Sequence, residues 1–170
     1  VYEITLAASP LTVNAGNGTV TFSGAMGGNK AIDALNVTAT TIAIDGGGVT
    51  TEGLQTYTGN VTLGSASTTL TQTNADNNFT LQTGKSISNA SGGNASLTIK
   101  TTGNILMQAA SSISSSTGAL DTVLWADSDD NSSGKITLTS STSGNETEIV
   151  TNGGDITLGG GSNPASDYAW

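Results

Sequence analysis

The chain has 170 residues, 35% of them hydrophobic and only 10% charged, and its four Lys, absent Arg and thirteen acids give a formal net charge of −9. Nucleic-acid binding needs clustered Lys and Arg against phosphate, so this balance excludes it, and the acidity reads instead as solubility for a large exposed surface. Cys and His are both absent, which removes disulfide scaffolds, thiol catalysis and ordinary zinc sites.

β-Branched and small polar residues dominate while strong helix formers are scarce, so the composition predicts strands joined by turns and very little helix. The apolar residues are too thinly spread for one thick core. No apolar run is long enough to span a membrane. Residues Val1 to Leu11 also lack the basic and apolar segments of a signal peptide.

In chain order, Val1-Tyr2-Glu3-Ile4-Thr5-Leu6 reads as a strand, and a short phrase then recurs: turn residue, variable residue, apolar, Thr, apolar. It appears as Gly18-Thr19-Val20-Thr21-Phe22 and Gly59-Asn60-Val61-Thr62-Leu63, then in looser form as Asn78-Phe79-Thr80-Leu81, Ser96-Leu97-Thr98-Ile99 and Gly103-Asn104-Ile105-Leu106-Met107. Gly134-Lys135-Ile136-Thr137-Leu138 and Gly154-Asp155-Ile156-Thr157-Leu158 complete the series. Each copy is a short strand with two apolar side chains on one face and the central residue on the other.

Between the copies stand single apolar residues, Leu70, Ile87, Ile113 and Ile149, expected to form shorter second faces. The runs Asp45-Gly46-Gly47-Gly48, Ser91-Gly92-Gly93-Asn94, Asn152-Gly153-Gly154 and Gly159-Gly160-Gly161 supply turns, because Gly and Asn accept positive φ. Pro10 and Pro164 lie near the termini, where loss of a ladder hydrogen bond matters least.

Val61 to Phe79 and Phe79 to Leu97 are each 18 residues apart, and Ile136 to Ile156 is 20. These spacings predict an all-β parallel solenoid of about eight or nine coils of roughly 18–20 residues, stacked as a rod of roughly 40 Å. Val61/Leu63, Phe79/Leu81 and Leu97/Ile99 would then stack in consecutive coils, with a single outward column Thr21, Thr62, Thr80, Thr98, Thr137 and Thr157. Residues 1–170 form one solenoid segment, expected to be part of a longer repeat chain. Neither terminus, at Val1–Leu6 or at Ser166-Asp167-Tyr168-Ala169-Trp170, reads as a cap.

The phrases Gly53-Leu54-Gln55-Thr56-Tyr57-Thr58-Gly59-Asn60-Val61-Thr62-Leu63-Gly64, Ser96-Leu97-Thr98-Ile99-Lys100-Thr101-Thr102-Gly103-Asn104-Ile105 and Asn152-Gly153-Gly154-Asp155-Ile156-Thr157-Leu158-Gly159-Gly160-Gly161 resemble the repeats of filamentous-haemagglutinin-like bacterial adhesins and related giant surface repeat proteins. The resemblance runs through most of the chain. It implies a right-handed parallel β-helix, extracellular or on the bacterial cell surface, serving as a stalk or adhesive fibre. It carries over no catalytic, cofactor-binding or metal-ligating residue. The partners it implies are neighbouring repeats of the same chain, or identical subunits stacked end to end, with no membrane insertion.

The sharpest polar cluster is Asp127-Ser128-Asp129-Asp130-Asn131, followed by Gly134. Its carboxylates are the oxygen-ligand type that calcium takes, but no Glu closes the loop at the twelfth position, and the reading is a solvated acidic turn. A polysaccharide hydrolase using the same carboxylates lacks flanking basic groups, Lys135 being the one nearby cation, and serine hydrolase chemistry lacks its His base. An ice-binding face needs paired outward Thr, whereas the flanking outward positions are Thr19, Asn60, Asn78, Ser96, Lys135 and Asp155. If Leu120, Thr122 and Leu124 point inward, alternation sends Val123 and Trp125 outward beside the acidic loop. An exposed Trp there would be an interface residue. The Asn-X-Ser/Thr tripeptides at Asn36, Asn94 and Asn145 are expected from composition alone.

Overall fold

The computed structural model of the chain describes residues 9–140 and 145–167. The expected strand at Val1–Leu6 and the closing residues Tyr168 to Trp170 lie outside the described residues.

Among the described residues there are fifteen strands and no helix. They are β1 (Leu11–Asn14), β2 (Thr19–Phe22), β3 (Leu35–Ile44), β4 (Gly48–Thr51), β5 (Gln55–Leu63), β6 (Ser67–Gln72), β7 (Phe79–Leu81) and β8 (Ser86–Asn89). β9 (Ala95–Lys100), β10 (Ile105–Met107), β11 (Ser112–Ser114), β12 (Leu120–Trp125), β13 (Ile136–Leu138), β14 (Glu148–Val150) and β15 (Ile156–Gly159) follow. Each of the seven copies of the recurring phrase falls on one of these strands.

The strands form three sheets, and every pairing between them is parallel. Sheet A has the order β1-β3-β5-β8-β11-β14, with β2 also on β3; sheet B is β4-β6-β9-β12-β15; sheet C is β7-β10-β13. From β5 to β15 the chain visits A, B and C in strict rotation. This is the path of a chain that winds once and then lays its next turn on the last, consistent with a parallel β-solenoid.

The register corrects the expected coil. Partners lie 20 residues apart from Leu35 to Gln55, 26 from Val61 to Ile87 and from Ile87 to Ile113, and 36 from Ile113 to Ile149. Val61/Leu63, Phe79/Leu81 and Leu97/Ile99 therefore do not stack: they lie on sheets A, C and B. The recurring phrase marks one face of a coil, and the 18-residue spacing is the distance between faces. Sheet A accordingly has six levels in place of eight or nine coils, about 24 Å at ~4.8 Å per level.

The expected Thr column divides for the same reason. Sheet A carries Thr21–Ala43–Thr62–Ser88–Ser114–Val150, sheet B Thr98–Val123–Thr157 and sheet C Thr80–Leu106–Thr137. Ile87, Ile113 and Ile149 do behave as second faces, one above another on sheet A.

Inward side chains form continuous columns. Val20–Ile42–Val61–Ile87–Ile113–Ile149 runs up sheet A, Val49–Leu70–Ile99–Leu124–Leu158 up sheet B, and Phe79–Ile105–Ile136 up sheet C. Each fully buried aliphatic side chain contributes about 1.5–3 kcal/mol of transfer free energy, so a narrow interior holds together with few large residues.

One inward column is polar. Thr51 pairs with Gln72 at the end of sheet B, and Thr101 follows. Gln55 Nε2 donates to the carbonyls of Val49 at 3.1 Å and Thr71 at 2.8 Å, and Tyr57 Oη donates to Gln55 Oε1 at 2.9 Å. The Gln72 amide, oriented to satisfy both its ends, donates to Thr101 Oγ1 at 3.0 Å and accepts from the Gln55 N–H at 2.9 Å. Thr101 Oγ1 in turn donates to the Asn77 carbonyl. Burial pushes the Tyr57 phenol far above its ordinary value, since the charged form has no solvent there.

β3 carries an extra residue against β5 between Thr38 and Thr41. The backbones close up at this bend. A Cβ on Gly59 would sit 2.1 Å from the Ala39 carbonyl oxygen, so only Gly fits.

Candidate functional site

The acidic cluster and Trp125 sit together at the corner that leaves β12. Alternation along β12 buries Leu120, Thr122 and Leu124 and turns Val123 and Trp125 outward, as the pattern requires. Trp125 is nevertheless only half-exposed. Its Nε1 donates to the Gly161 carbonyl at 2.8 Å, and Lys100 Nζ stands 3.9 Å over its ring. Lys100 is the register partner of Trp125 on β9, so the cation–π contact joins neighbouring rungs. An outward Trp here is spent on the fold's own surface.

Asp127 departs from the solvated turn expected of it: it is fully buried, with positive φ. Its Oδ1 accepts the N–H groups of Asn131 at 3.1 Å and Ser133 at 3.3 Å, which winds the loop around the carboxylate. Oδ2 has no protein partner. Asp129 is exposed and accepts from Asn131 Nδ2 at 3.0 Å, and Asp130 is exposed. The loop thus splits the three carboxylates by role. Among the described residues no three acids come together to hold a metal ion.

The outer face of sheet C is a shallow groove of about 370 Å³ lined by Asn78, Thr80, Asn104, Leu106, Lys135 and Thr137. A second, of about 220 Å³, continues it past Leu54, Gln55 and Thr56. Neither lining includes an aromatic ring.

Along the strand starts, one residue type recurs in a role the sequence did not reveal. Asn60 Oδ1 accepts the Ser86 N–H at 3.2 Å, Asn78 Oδ1 the Asn104 N–H at 2.7 Å, Asn94 Oδ1 the Ala119 N–H at 3.0 Å, and Asn104 Oδ1 the Lys135 N–H at 3.0 Å. Asp121 Oδ1 accepts the Asp155 N–H at 2.9 Å. In each pair the side chain of one rung caps the backbone of the rung after it. The signal was present as Asn or Asp just before an inward residue, but sequence alone does not say which N–H it meets.

No known protein family, curated protein or solved structure matches the chain. What it assembles is a stacking surface, with buried columns inside, Asx caps at the strand starts and a Trp–Lys clasp outside.

Proposed function

We propose that the chain is a non-enzymatic structural module, a rigid segment of an extended fibre that spaces or displays adhesive parts on a bacterial surface or in a secreted protein. The observation that carries this reading is the set of columns running unbroken through three parallel sheets, because a core shared rung by rung resists bending along its whole length. The resemblance of the Gly/Asn/Thr phrases to adhesin repeats supports the bacterial and extracellular setting, and it supports a right-handed coil.

Electron microscopy of the native material, with antibody raised against residues 1–170, tests the reading. Label spaced along a cell-attached or shed fibre is expected. Label confined to the cytoplasm would overturn it. Turnover of a polysaccharide that disappears in Asp129→Asn would overturn the non-enzymatic part.

A further inference from the structure

The corner that leaves β12 holds a charge the fold does not satisfy. Asp127 is fully buried, and its Oδ2 has no hydrogen-bond partner. A buried carboxylate oxygen left bare costs free energy that native folds offset with a donor or a cation. Protonation gives no relief, because an O–H at the same place finds no acceptor.

The other oxygen shows which way the group faces. Oδ1 accepts the N–H of Asn131 at 3.1 Å and of Ser133 at 3.3 Å, so the carboxylate is aimed into the loop that it opens. Gly134 closes that loop against its own start: a Cβ there would lie 2.5 Å from the Asp127 nitrogen.

Further oxygens come at alternate positions. Counting Asp127 as the first residue, Asp129, Asn131 and Ser133 are the third, fifth and seventh, the places from which a calcium loop supplies two side chains and a backbone carbonyl. Ser132, the sixth, has a φ of 66°, where such loops keep a glycine for the sharp turn. Asn131 ties the two carboxylates together, giving its N–H to Asp127 Oδ1 and its Nδ2 to Asp129 Oδ2 at 3.0 Å. Spacing of this kind describes many acidic turns. The bare buried oxygen sets this one apart.

We propose that the loop Asp127–Gly134 binds a calcium ion, with Asp127 Oδ2 as the inner ligand and Asp129, Asn131 and the Ser133 carbonyl as the others. Calcium takes about six to eight oxygens, so water completes the shell. The twelfth residue is Leu138, which supplies no bidentate carboxylate, and among the described residues no three acids come together. With two carboxylates the site belongs to the weak class, with a Kd of about 10⁻⁴–10⁻³ M, that serves extracellular modules. Magnesium holds its water and demands octahedral geometry, so it fits poorly.

Titration of the full 170-residue chain with calcium chloride, followed by amide NMR, tests the site. The Asn131 and Ser133 amides are expected to shift in a saturable way with a midpoint of about 10⁻⁴–10⁻³ M. Magnesium chloride should shift them far less. Asp127→Asn should abolish the response. Asp129→Asn, at an exposed position that leaves the core alone, should raise the midpoint roughly tenfold or more, the scale on which metal sites respond to a lost supporting group. Asp130→Asn removes the same charge from the same loop without removing a ligand, and should leave the midpoint nearly unchanged. Amides that stay still well above millimolar calcium overturn the proposal. So does a response that Asp129→Asn and Asp130→Asn weaken equally, the behaviour of general attraction to a chain of net charge −9. Either failure leaves the columns of the three sheets, and the structural reading built on them, untouched.

Discussion

Asn78 Oδ1 accepts two hydrogen bonds from Asn104, one from its backbone N–H at 2.7 Å and one from its side-chain amide at 2.8 Å. The two residues are register neighbours at the start of β7 and β10, and Asn104 passes the same service on to Lys135. Asn78→Ala should cost about 0.5–1.5 kcal/mol, the net worth of an ordinary hydrogen bond. Hydrogen exchange is the direct readout: the Asn104 amide should exchange faster, with the Lys135 amide unchanged.

Ile113 is fully buried between Ile87 below and Ile149 above. Ile113→Ala should destabilise by about 2–5 kcal/mol, because a rigid stack relaxes poorly into the space left. A lower denaturant midpoint with an unchanged slope is expected.

How much of this was legible in the sequence follows from what kind of information each feature uses. The inward-outward alternation of Leu120 to Trp125 needs only period two, and the structure selects, of the two registers that period allows, the one with Leu120, Thr122 and Leu124 inside. The stacking of Val61 on Ile87 needs the length of a coil. The phrase that seemed to measure that length recurs on all three faces, so it counted faces. The strand Leu35–Ile44 stands outside the recurring series although it alternates apolar and polar residues through Leu35, Val37 and Ala39, because Ala39 occupies the place where the other copies carry a large apolar side chain. Asp127 was misplaced in solvent since its charge suggested exposure, whereas the N–H groups of Asn131 and Ser133 hold it inside.

Gln55 joins Val49, Thr71 and Tyr57 in the buried polar column. Gln55→Leu would strand the Tyr57 hydroxyl without an acceptor, at a cost of about 1–3 kcal/mol. Adding Tyr57→Phe should recover part of that loss, which a double-mutant cycle measures.

Gly59 and Gly28 should respond in opposite ways to alanine. A Cβ on Gly59 would strike the Ala39 carbonyl, whereas one on Gly28 meets nothing within 4 Å. Thermal melting should therefore show Gly59→Ala clearly destabilised. Gly28→Ala should be neutral or slightly stabilised by the lowered entropy of the unfolded chain.

The turn at Ser162–Asp167 carries the clearest pH dependence. Asp167 Oδ2 accepts the Asn163 N–H at 2.9 Å and the Ser162 hydroxyl at 3.1 Å. The Asn163 N–H and the Ser166 hydroxyl hold its carboxyl below the usual value. A depressed folded pKa contributes stability above the unfolded value, and the contribution is lost as pH falls through the folded one. Amide shifts at Asn163 should thus stay constant through the ordinary Asp range and move only below it. In Asp167→Asn that transition should vanish.

The offset between register partners ranges from 19 to 36 residues while the pairing stays parallel throughout. Apart from the one extra residue in β3, the excess is carried at the corners, such as 126–135, ten residues where the equivalent corner 101–104 has four. Insertions at these corners are therefore mechanically silent along the axis, and each corner is a place where evolution or an engineer can graft a recognition loop without altering the rise of the rod. The stretch from Ala126 to Lys135 already looks like such a graft, a side branch folded back on its own carboxylate.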